Sequence, residues 1–421
     1  MNSIVIFEDA GWRNLYPLSL SRPAFDCRVG GTGLGRRLAA QAVRAGGARV
    51  EYLCRPLLRP LVERDYPGSP VNQEGSGETL FLNGRLLCLG EGFADILALL
   101  EKRAVVRGED EILAVRLAGP EAATYRRVLS EALEAGERPP LPRGGTGVGP
   151  PEGVRIVRYP WDLVGWNAAV LRDDFAWAKE HPHPGEPTLA AGAQIIGRER
   201  ILFRGETRLE PGAILDARSG PIILGDGVHI HHHAVVLGPA YLGAGTEIKM
   251  GARLYDGVSL GPTCKMGGEV EAVIAQAYAN KQHDGFLGHA YLGAWTNLGA
   301  ATNNSDLKNN YSTVRVWTPE GETDTGEQFI GLFLGDHSKT AIGTRFNTGT
   351  AVGFSCNVFG DGFPAKHTRS FSWGDGRSGG TYDLERAMEV ARKVMARRKV
   401  VFEAADEVLF RTLYAGRDDE R

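Results

Sequence analysis

The stretch LGDGVHIHHHAVVLGPAYLGAGTEIKMGARLYDGVSLGPTCKMGGEV, Leu224–Val270, carries two interlocked series with a period of six. The first is Leu224, Ile230, Val236, Leu242, Ile248, Leu254, Leu260 and Met266. With 43% of the chain apolar, eight such residues in one register arise by chance in about 0.1% of registers, so in a long chain this series alone does not decide the fold. The second series does: four residues after each member stand Val228, Ala234, Ala240, Thr246, Ala252, Val258, Cys264 and Val270, all small or β-branched. A helix presents one face every three to four residues and accommodates neither series. A bulky aliphatic every sixth residue, a small residue between, and glycines at Gly225, Gly243, Gly261 and Gly267 form the hexapeptide signature of a parallel β-helix. Each hexad supplies a strand and a turn, three hexads close one coil, and coils must stack because none buries its own core.

A chain of 421 residues has room for two or three domains, of which the repeats fill one. Lys plus Arg number 48 against 51 for Asp plus Glu, a balance that advertises neither a nucleic-acid nor an acidic-membrane partner. Cys27, Cys54, Cys88, Cys264 and Cys356 are scattered, with no C-x-x-C pair and no zinc spacing, as expected of reduced thiols. No apolar run reaches the length of a membrane span, and the opening MNSIVIFEDAGWR turns acidic too early for a signal peptide. The expectation is a soluble, cytoplasmic protein.

Residues 1–188 have another rhythm. Ser3–Phe7 reads as a strand, Leu34–Ala45 as a helix, Arg49–Leu53 as a strand, Arg55–Tyr66 as helical and Thr79–Leu82 as a strand. Ala104–Leu117 reads as a hairpin turning at Gly108-Glu109-Asp110, Glu121–Ala135 as a helix, Val154–Val157 as a strand and Trp161–Lys179 as a helix. Alternating strands and helices predict an open α/β sheet. The Pro/Gly-rich segment Pro139–Gly153 reads as a loop, and the prolines of 181–187 end the last helix and place a boundary at 188. The β-helix then runs over 189–380. Its phase shifts after Met266, the next triplet being Phe286, Leu292 and Leu298, and a polar excursion, Asn303–Gln328, interrupts it before Leu334. Tyr382–Lys399 and Val401–Tyr414 read as helices that cap the open end, within a helical segment over 381–421.

The richest polar stretch is Lys281-Gln-His283-Asp-Gly-Phe286 through Asn297, Ala300, Thr302 and Asp306. Histidine titrates near neutrality, so His283 is a candidate base for an attacking amine. Asn297 and nearby amides are candidates for binding a hydroxyl or an oxyanion. The cluster His229, His231, His232 and His233 invites a metal reading, but strand alternation sends neighbours to opposite sides, which favours an ordinary turn of the solenoid.

Phe286-Leu-Gly, Asn297-Leu-Gly-Ala300 and Thr302 resemble the acetyltransferase half of the bacterial bifunctional enzymes that make UDP-N-acetylglucosamine from glucosamine 1-phosphate. The motif of that family is H-L-[ST]-Y-L-G-D-A-x-I-G-x-x-x-N-I-G-A-G-T. The resemblance implies a left-handed β-helix, His283 as catalytic base, Asn297 as a sugar contact and Phe286 at the place of the motif tyrosine. It also implies that acetyl-CoA lies along Ala300 and Thr302, and that Arg253, thirty residues before His283, holds the sugar phosphate. Two departures stand out: Phe286 lacks the tyrosine hydroxyl, and Glu271 falls on a lysine that contacts substrate in the family. By the same resemblance the expected assembly is a homotrimer.

The first half resembles the divergent sugar nucleotidyltransferases fused to such β-helices, through Phe7-Glu-Asp-Ala-Gly-Trp-Arg13, Ser21-Arg22-Pro23, Arg28-Val-Gly30, Phe81-Leu-Asn83-Gly84-Arg85 and Tyr159-Pro-Trp-Asp162. The usual loop L-A-A-G-x-G-T-R-M is absent, and Gly30-Gly-Thr-Gly-Leu-Gly35 reads as a helix start rather than a phosphate cradle. Nucleotidyl transfer requires neutralised phosphates, for which Arg13, Arg22 and Arg28 are candidates, and usually Mg²⁺ held by carboxylates. Arg85 stands where the family places a metal-binding aspartate, leaving Asp162 and Asn167 as candidate metal ligands. The resulting expectation is a transferase using a sugar 1-phosphate, a nucleoside triphosphate and acyl-CoA. Two alternatives stay open: nucleotidyl transfer alone with a scaffold β-helix, and a catalytically inactive sugar-nucleotide-binding module.

Overall fold

The computed structural model describes residues 3–46, 49–101, 104–109, 111–142, 146–180 and 185–420. The described chain forms two compact units. The first takes the chain up to Leu15, Ser21–Cys27 and Thr32–Tyr159, and the second takes Tyr16–Leu20, Arg28–Gly31 and everything from Pro160 on.

In the first unit six strands, β1 (Ser3–Phe7), β2 (Val50–Leu53), β3 (Thr79–Asn83), β4 (Ala104–Arg107), β5 (Ile112–Leu117) and β6 (Thr146–Val148), form one sheet in the order β2-β1-β3-β5-β4-β6. Strand β1 pairs in parallel with β2 and β3, and β5 runs antiparallel to both β3 and β4. Strand β1 is apolar at every inner position, with Ile4, Val5, Ile6 and Phe7 all buried, as a strand covered on both faces must be. Helices α1 (Leu34–Arg44), α2 (Arg59–Asp65), α3 (Gly92–Glu101) and α4 (Gly119–Ala135) accompany the sheet. Tyr125, Leu129 and Leu133 of α4 pack with Val5, Phe7 and Phe81. The glycine-rich stretch at Gly30–Gly35 opens α1, with Gly33 as its N-cap residue. Helix α3 and strand β6 are among the elements that the sequence reading does not include. Helix α3 buries Phe93, Ile96 and Leu100, and β6 lies inside the Pro/Gly-rich stretch because parallel pairing with β4 satisfies its backbone. Asp110 of the expected hairpin turn, residues 143–145 and the linker residues 181–184 lie outside the described residues.

The second unit is a parallel β-solenoid with three faces. Face A runs from Pro187–Leu189 to Asn280–Lys281, face B from Gln194–Ile196 to Phe286–Gly288, and face C is a nine-stranded sheet from Ile201–Arg204 to His367–Thr368. Helix α5 (Pro160–Glu180) clusters with this unit. Both six-residue series point inward, and every member from Leu224 to Val270 is buried. Equivalent residues stack coil on coil: Leu209, Ile230, Ile248 and Met266 on face A, and Leu215, Val236, Leu254, Val270 and Leu287 on face B. Each fully buried aliphatic side chain contributes roughly 1.5–3 kcal/mol of transfer free energy, so the continuous stack supplies a core that no single coil has.

The phase shift after Met266 has a specific cause. The step from Met266 to Val270 spans four residues rather than six, because Gly267 and Gly268 turn the A–B corner tightly, Gly268 with φ +75°. A Cβ on Gly267 would meet the Gln282 carbonyl oxygen at 2.4 Å, so the corner requires glycine. The next inward residue on face A is Lys281, stacked on Met266. On face B it is Leu287, and Phe286 faces outward, which corrects the inward position expected for Phe286. Helices α6 (Leu384–Ala396) and α7 (Ala404–Gly416) follow the last coils. Phe410 of α7 packs on His337, Phe354 and Phe371. Among the described residues no helix is long and apolar enough to cross a membrane.

Candidate active sites

In open α/β sheets ligands bind beyond the carboxyl ends of strands where chain order reverses. Here that point lies between β1 and β3, and the residues beyond them are Glu8, Asp9, Asn83, Gly84 and Arg85. Arg85 is 2% exposed. Its Nε and Nη2 donate to the two carboxylate oxygens of Asp9, each at 2.8 Å, and Nη1 donates to the Val157 carbonyl at 2.8 Å. Asn83 adds a bond to Asp9 at 2.8 Å. Burial raises the Asp9 carboxyl, but the Arg85 charge and the hydrogen bonds from Arg85, Asn83 and the Gly11 amide outweigh it and hold the group below the usual carboxylate range. A Cβ on Gly11 would lie 2.3 Å from the guanidinium carbon, so the glycine makes room for the pair. Glu8 is likewise taken by Arg55, at 3.1 Å, whose guanidinium lies 3.5 Å from the Trp12 ring centroid.

Two acidic residues thus stand at the strand end, and each already faces a guanidinium. With both carboxylates held by guanidinium groups, the residues of this unit do not fit a divalent metal at that place. Arg13 is exposed and donates to the Gly136 carbonyl at 3.0 Å, and Arg22 pairs with Asp26 at 3.3 Å. A cleft of about 500 Å³ opens along Arg107, Arg158 and the backbone of Gly147–Gly149. Arg158 pairs with Glu111 at 3.2 Å, and Glu111 lies 3.9 Å from Arg85, so the cleft edge and the buried pair belong to one charge network.

The other three residues expected in nucleotide chemistry belong to the second unit. Arg28 is fixed by its backbone, its N–H donating to the Tyr291 hydroxyl at 2.7 Å, while its Nη1 reaches the Gly31 carbonyl at 2.8 Å. Asn167 is fully buried on α5; its Oδ1 accepts from the Gly30 amide at 2.7 Å and its Nδ2 donates to the Gly257 carbonyl at 2.8 Å. Both ends of that amide brace backbone, so Asn167 does not fit a metal ligand. Asp162 is partly buried in the first turn of the same helix. Among the described residues no group of three or more His, Cys, Asp or Glu has the arrangement of a metal site. His229 bonds Glu210 at 2.9 Å and lies against the His231 ring.

On the outer side of face B, Arg253, Glu269 and Phe286 follow one another in register, and Asn303 accepts from the Phe286 amide at 2.7 Å. Arg253 pairs with Glu269 at 3.3 Å across adjacent coils and keeps 54% of its side chain exposed. Glu271 lies two residues along the same strand, and burial leads the effects that raise its carboxyl. His283 occupies the A–B corner and is exposed. Ala301 stacks on that corner, its amide donating to the Asp284 carbonyl at 3.0 Å, which sets Ala300 one coil above His283. Beneath the corner the Lys281 ammonium, 1% exposed, donates to the carbonyls of Gly267, His283 and Gly285 at 3.1, 2.9 and 2.7 Å. Burial pushes this lysine down to about 8, against the opposing charge of Asp284.

Asn297 lies on face A and accepts from Asn280 at 2.5 Å. Thr302 is an inward residue whose hydroxyl meets that of Thr340 at 2.8 Å, so a ligand outside would meet its backbone alone. One pair escaped the sequence reading: His289 Nδ1 lies 2.8 Å from Asp306 Oδ2 at the B–C corner. Its signal is the departure of His289 from the motif aspartate.

A model of the family described as sugar nucleotidyl transferase matches residues 4–182. The bifunctional protein GlmU of Alkalilimnicola ehrlichii is 26% identical over 240 residues, 50% of this chain and 48% of that protein. GlmU of Bartonella quintana is 29% identical over 159 residues, covering 35% and 34% of the two chains. GlmU of Sphingopyxis alaskensis is 32% identical over 124 residues, covering 28% and 27%. The matched part thus spans about half the length of these relatives or less. Residues 4–182 thus match the sugar nucleotidyl transferase family, a parallel β-solenoid follows them, and the chain is similar at low identity to the bifunctional GlmU proteins.

Proposed function

We propose that the chain is a two-site transferase acting on hexosamine 1-phosphates. The solenoid transfers acetyl from acetyl-CoA to the amine of glucosamine 1-phosphate, and the first unit uses UTP to form UDP-N-acetylglucosamine. The observation that carries the acyl-transfer half is the clustering of Arg253, Glu269, Phe286 and Glu271 on one outer face, with His283 at its edge. Arg253 holds the sugar phosphate, and the acidic side chains favour the ammonium form of the acceptor. His283 takes a proton from nitrogen, and the thioester lies along the Ala300 corner, with Asn297 contacting the sugar from the adjoining face. A homotrimer, which the resemblance implies, supplies the neighbouring surface for the acyl donor. Thiol release from acetyl-CoA with glucosamine 1-phosphate tests this half. Wild-type turnover above that of His283→Ala is the expected result, and equal rates remove it.

The Asp9–Arg85 pair favours a second reading of the first unit, in which it binds the sugar nucleotide without transferring a nucleotidyl group. Pyrophosphate release from UTP or dTTP with sugar 1-phosphates and Mg²⁺ separates the two. A flat trace across several sugars leaves binding alone.

A further inference from the structure

The polar excursion that interrupts the solenoid leaves and rejoins it at one spot. Leu307 and Phe329 meet there in an antiparallel bridge, and a hairpin of Arg315–Thr318 with Gly321–Asp324 lies between. Both ends of this stem touch His289. Asp306 Oδ2 accepts from its Nδ1–H at 2.8 Å, and the Phe329 ring lies 5.2 Å from the imidazole centroid. The corner itself is shaped for the contact: His289 has φ +44°, and its amide donates to the Glu271 carbonyl at 3.0 Å. A Cβ on Gly288 would stand 2.5 Å from Asp306 Oδ2, so the carboxylate reaches the ring only because residue 288 is glycine.

An aspartate on Nδ1 fixes the imidazole tautomer with its proton there and leaves Nε2 as the basic nitrogen. Among the described residues no group bonds Nε2, and 24% of the side chain is exposed. Asp306 and Glu271 face the ring, and Asp256 and Glu269 are the charged groups next to Glu271. This is an acidic setting with one oriented base, at the B–C end of the face that carries Arg253 and Phe286 on its outer side.

Turning an alkylammonium into an amide removes two protons from nitrogen. One must leave before attack, since the ammonium has no lone pair. The other leaves as the N–C bond forms and the C–S bond of the thioester breaks, and it ends on the departing thiolate. We propose that His289, oriented by Asp306, takes the first of these protons from the ammonium group of the acceptor at Nε2 and releases it to water. The proposal rests on the acyl-transfer reading. His289 is then a catalytic residue in addition to the base that serves the second proton, and Asp306 is a positioning residue.

The test uses the full chain with acetyl-CoA and glucosamine 1-phosphate, following thiol release between about pH 6.5 and pH 9.5 for wild type, His289→Gln and Asp306→Asn. A lost general base costs about 100-fold or more. The expected result for His289→Gln is a fall of about 100-fold in kcat at neutral pH, with an unchanged KM for acetyl-CoA and an unchanged melting temperature. At the alkaline end, where the acceptor arrives as free amine, the deficit shrinks to about threefold or less. Asp306→Asn shows a smaller fall, about tenfold, with the same alkaline rescue. Full activity of His289→Gln, or a loss that persists at alkaline pH, overturns the assignment while leaving acyl transfer standing. Wild type without turnover overturns the acyl-transfer reading and this assignment together.

Discussion

Arg85 and Asp9 meet through two hydrogen bonds of 2.8 Å, both side chains buried, beyond the carboxyl ends of strands β1 and β3. A guanidinium with its counter-charge is built into the fold there. Breaking one partner of such a pair leaves a buried charge uncompensated, which costs about 3–5 kcal/mol. Asp9→Asn is therefore expected to destabilise the protein by about 3 kcal/mol or more in urea unfolding. The pH dependence has a definite sign. The folded-state carboxyl lies below its unfolded value of about 3.9, so its contribution is complete above roughly pH 5 and fades as acid protonates it. The stability gap between wild type and Asp9→Asn is widest near neutrality and closes in acid.

Asn167 braces backbone at both ends of its amide, and this separates it from a metal ligand. Asn167→Ala leaves the Gly30 amide and the Gly257 carbonyl without their partner, at about 1–3 kcal/mol for each buried group. The loss of about 2 kcal/mol or more is expected to be the same with Mg²⁺ and with chelator. A loss seen with Mg²⁺ alone would return Asn167 to metal chemistry.

Lys281 is an inward ammonium in an otherwise apolar stack, satisfied by three carbonyls. Its folded-state value of about 8 lies below the ordinary lysine value, so between about pH 8 and pH 10 the unfolded chain holds more protons. Wild type is then expected to gain stability relative to Lys281→Met as pH rises through that window, by about 1.4 kcal/mol per unit at most. Paired urea titrations at the two ends of the window measure it. Because one of the carbonyls belongs to His283, the substitution also loosens the corner on which that imidazole stands.

Arg253 is half-exposed and pairs with Glu269 on the outside of the coil. Exposed pairs of this kind contribute little to folding. Arg253→Ala is expected to leave the melting temperature unchanged while raising the KM for glucosamine 1-phosphate about tenfold or more, as loss of a charged phosphate contact does. An unchanged KM would remove the residue from phosphate binding.

The solenoid was legible because its core demands one inward aliphatic and one small or β-branched residue per hexad, and the sixteen residues of the two series from Leu224 to Val270 obey that demand without exception. The phase after Met266 was not legible: Gly267–Gly268 shortens a corner by two residues, and Lys281 enters the core where an aliphatic is expected, its charge answered by backbone carbonyls that no side-chain pattern records. Strand Thr146–Val148 escaped for a related reason, since its pairing with Ala104–Val106 is a tertiary fact within a stretch whose composition reads as loop. At the candidate site, spacing against a motif singled out Arg253, Phe286 and His283, and the structure sets Arg253 and Phe286 in register on the outside of one face with His283 at its corner. The His289–Asp306 pair was not, because its members lie seventeen residues apart and meet only when one coil stacks on the next.

The central claim, acyl transfer to an amino-sugar phosphate on the outer face of the solenoid, is tested most directly by following carbonyl-labelled [13C]acetyl-CoA by NMR with glucosamine 1-phosphate and the full chain. The expected result is that the thioester carbonyl signal decays into an amide carbonyl on the sugar nitrogen, at a rate that falls when His283 or His289 is replaced by glutamine. Label that stays on the thioester, or that reaches water as acetate without ever forming the amide, would contradict it.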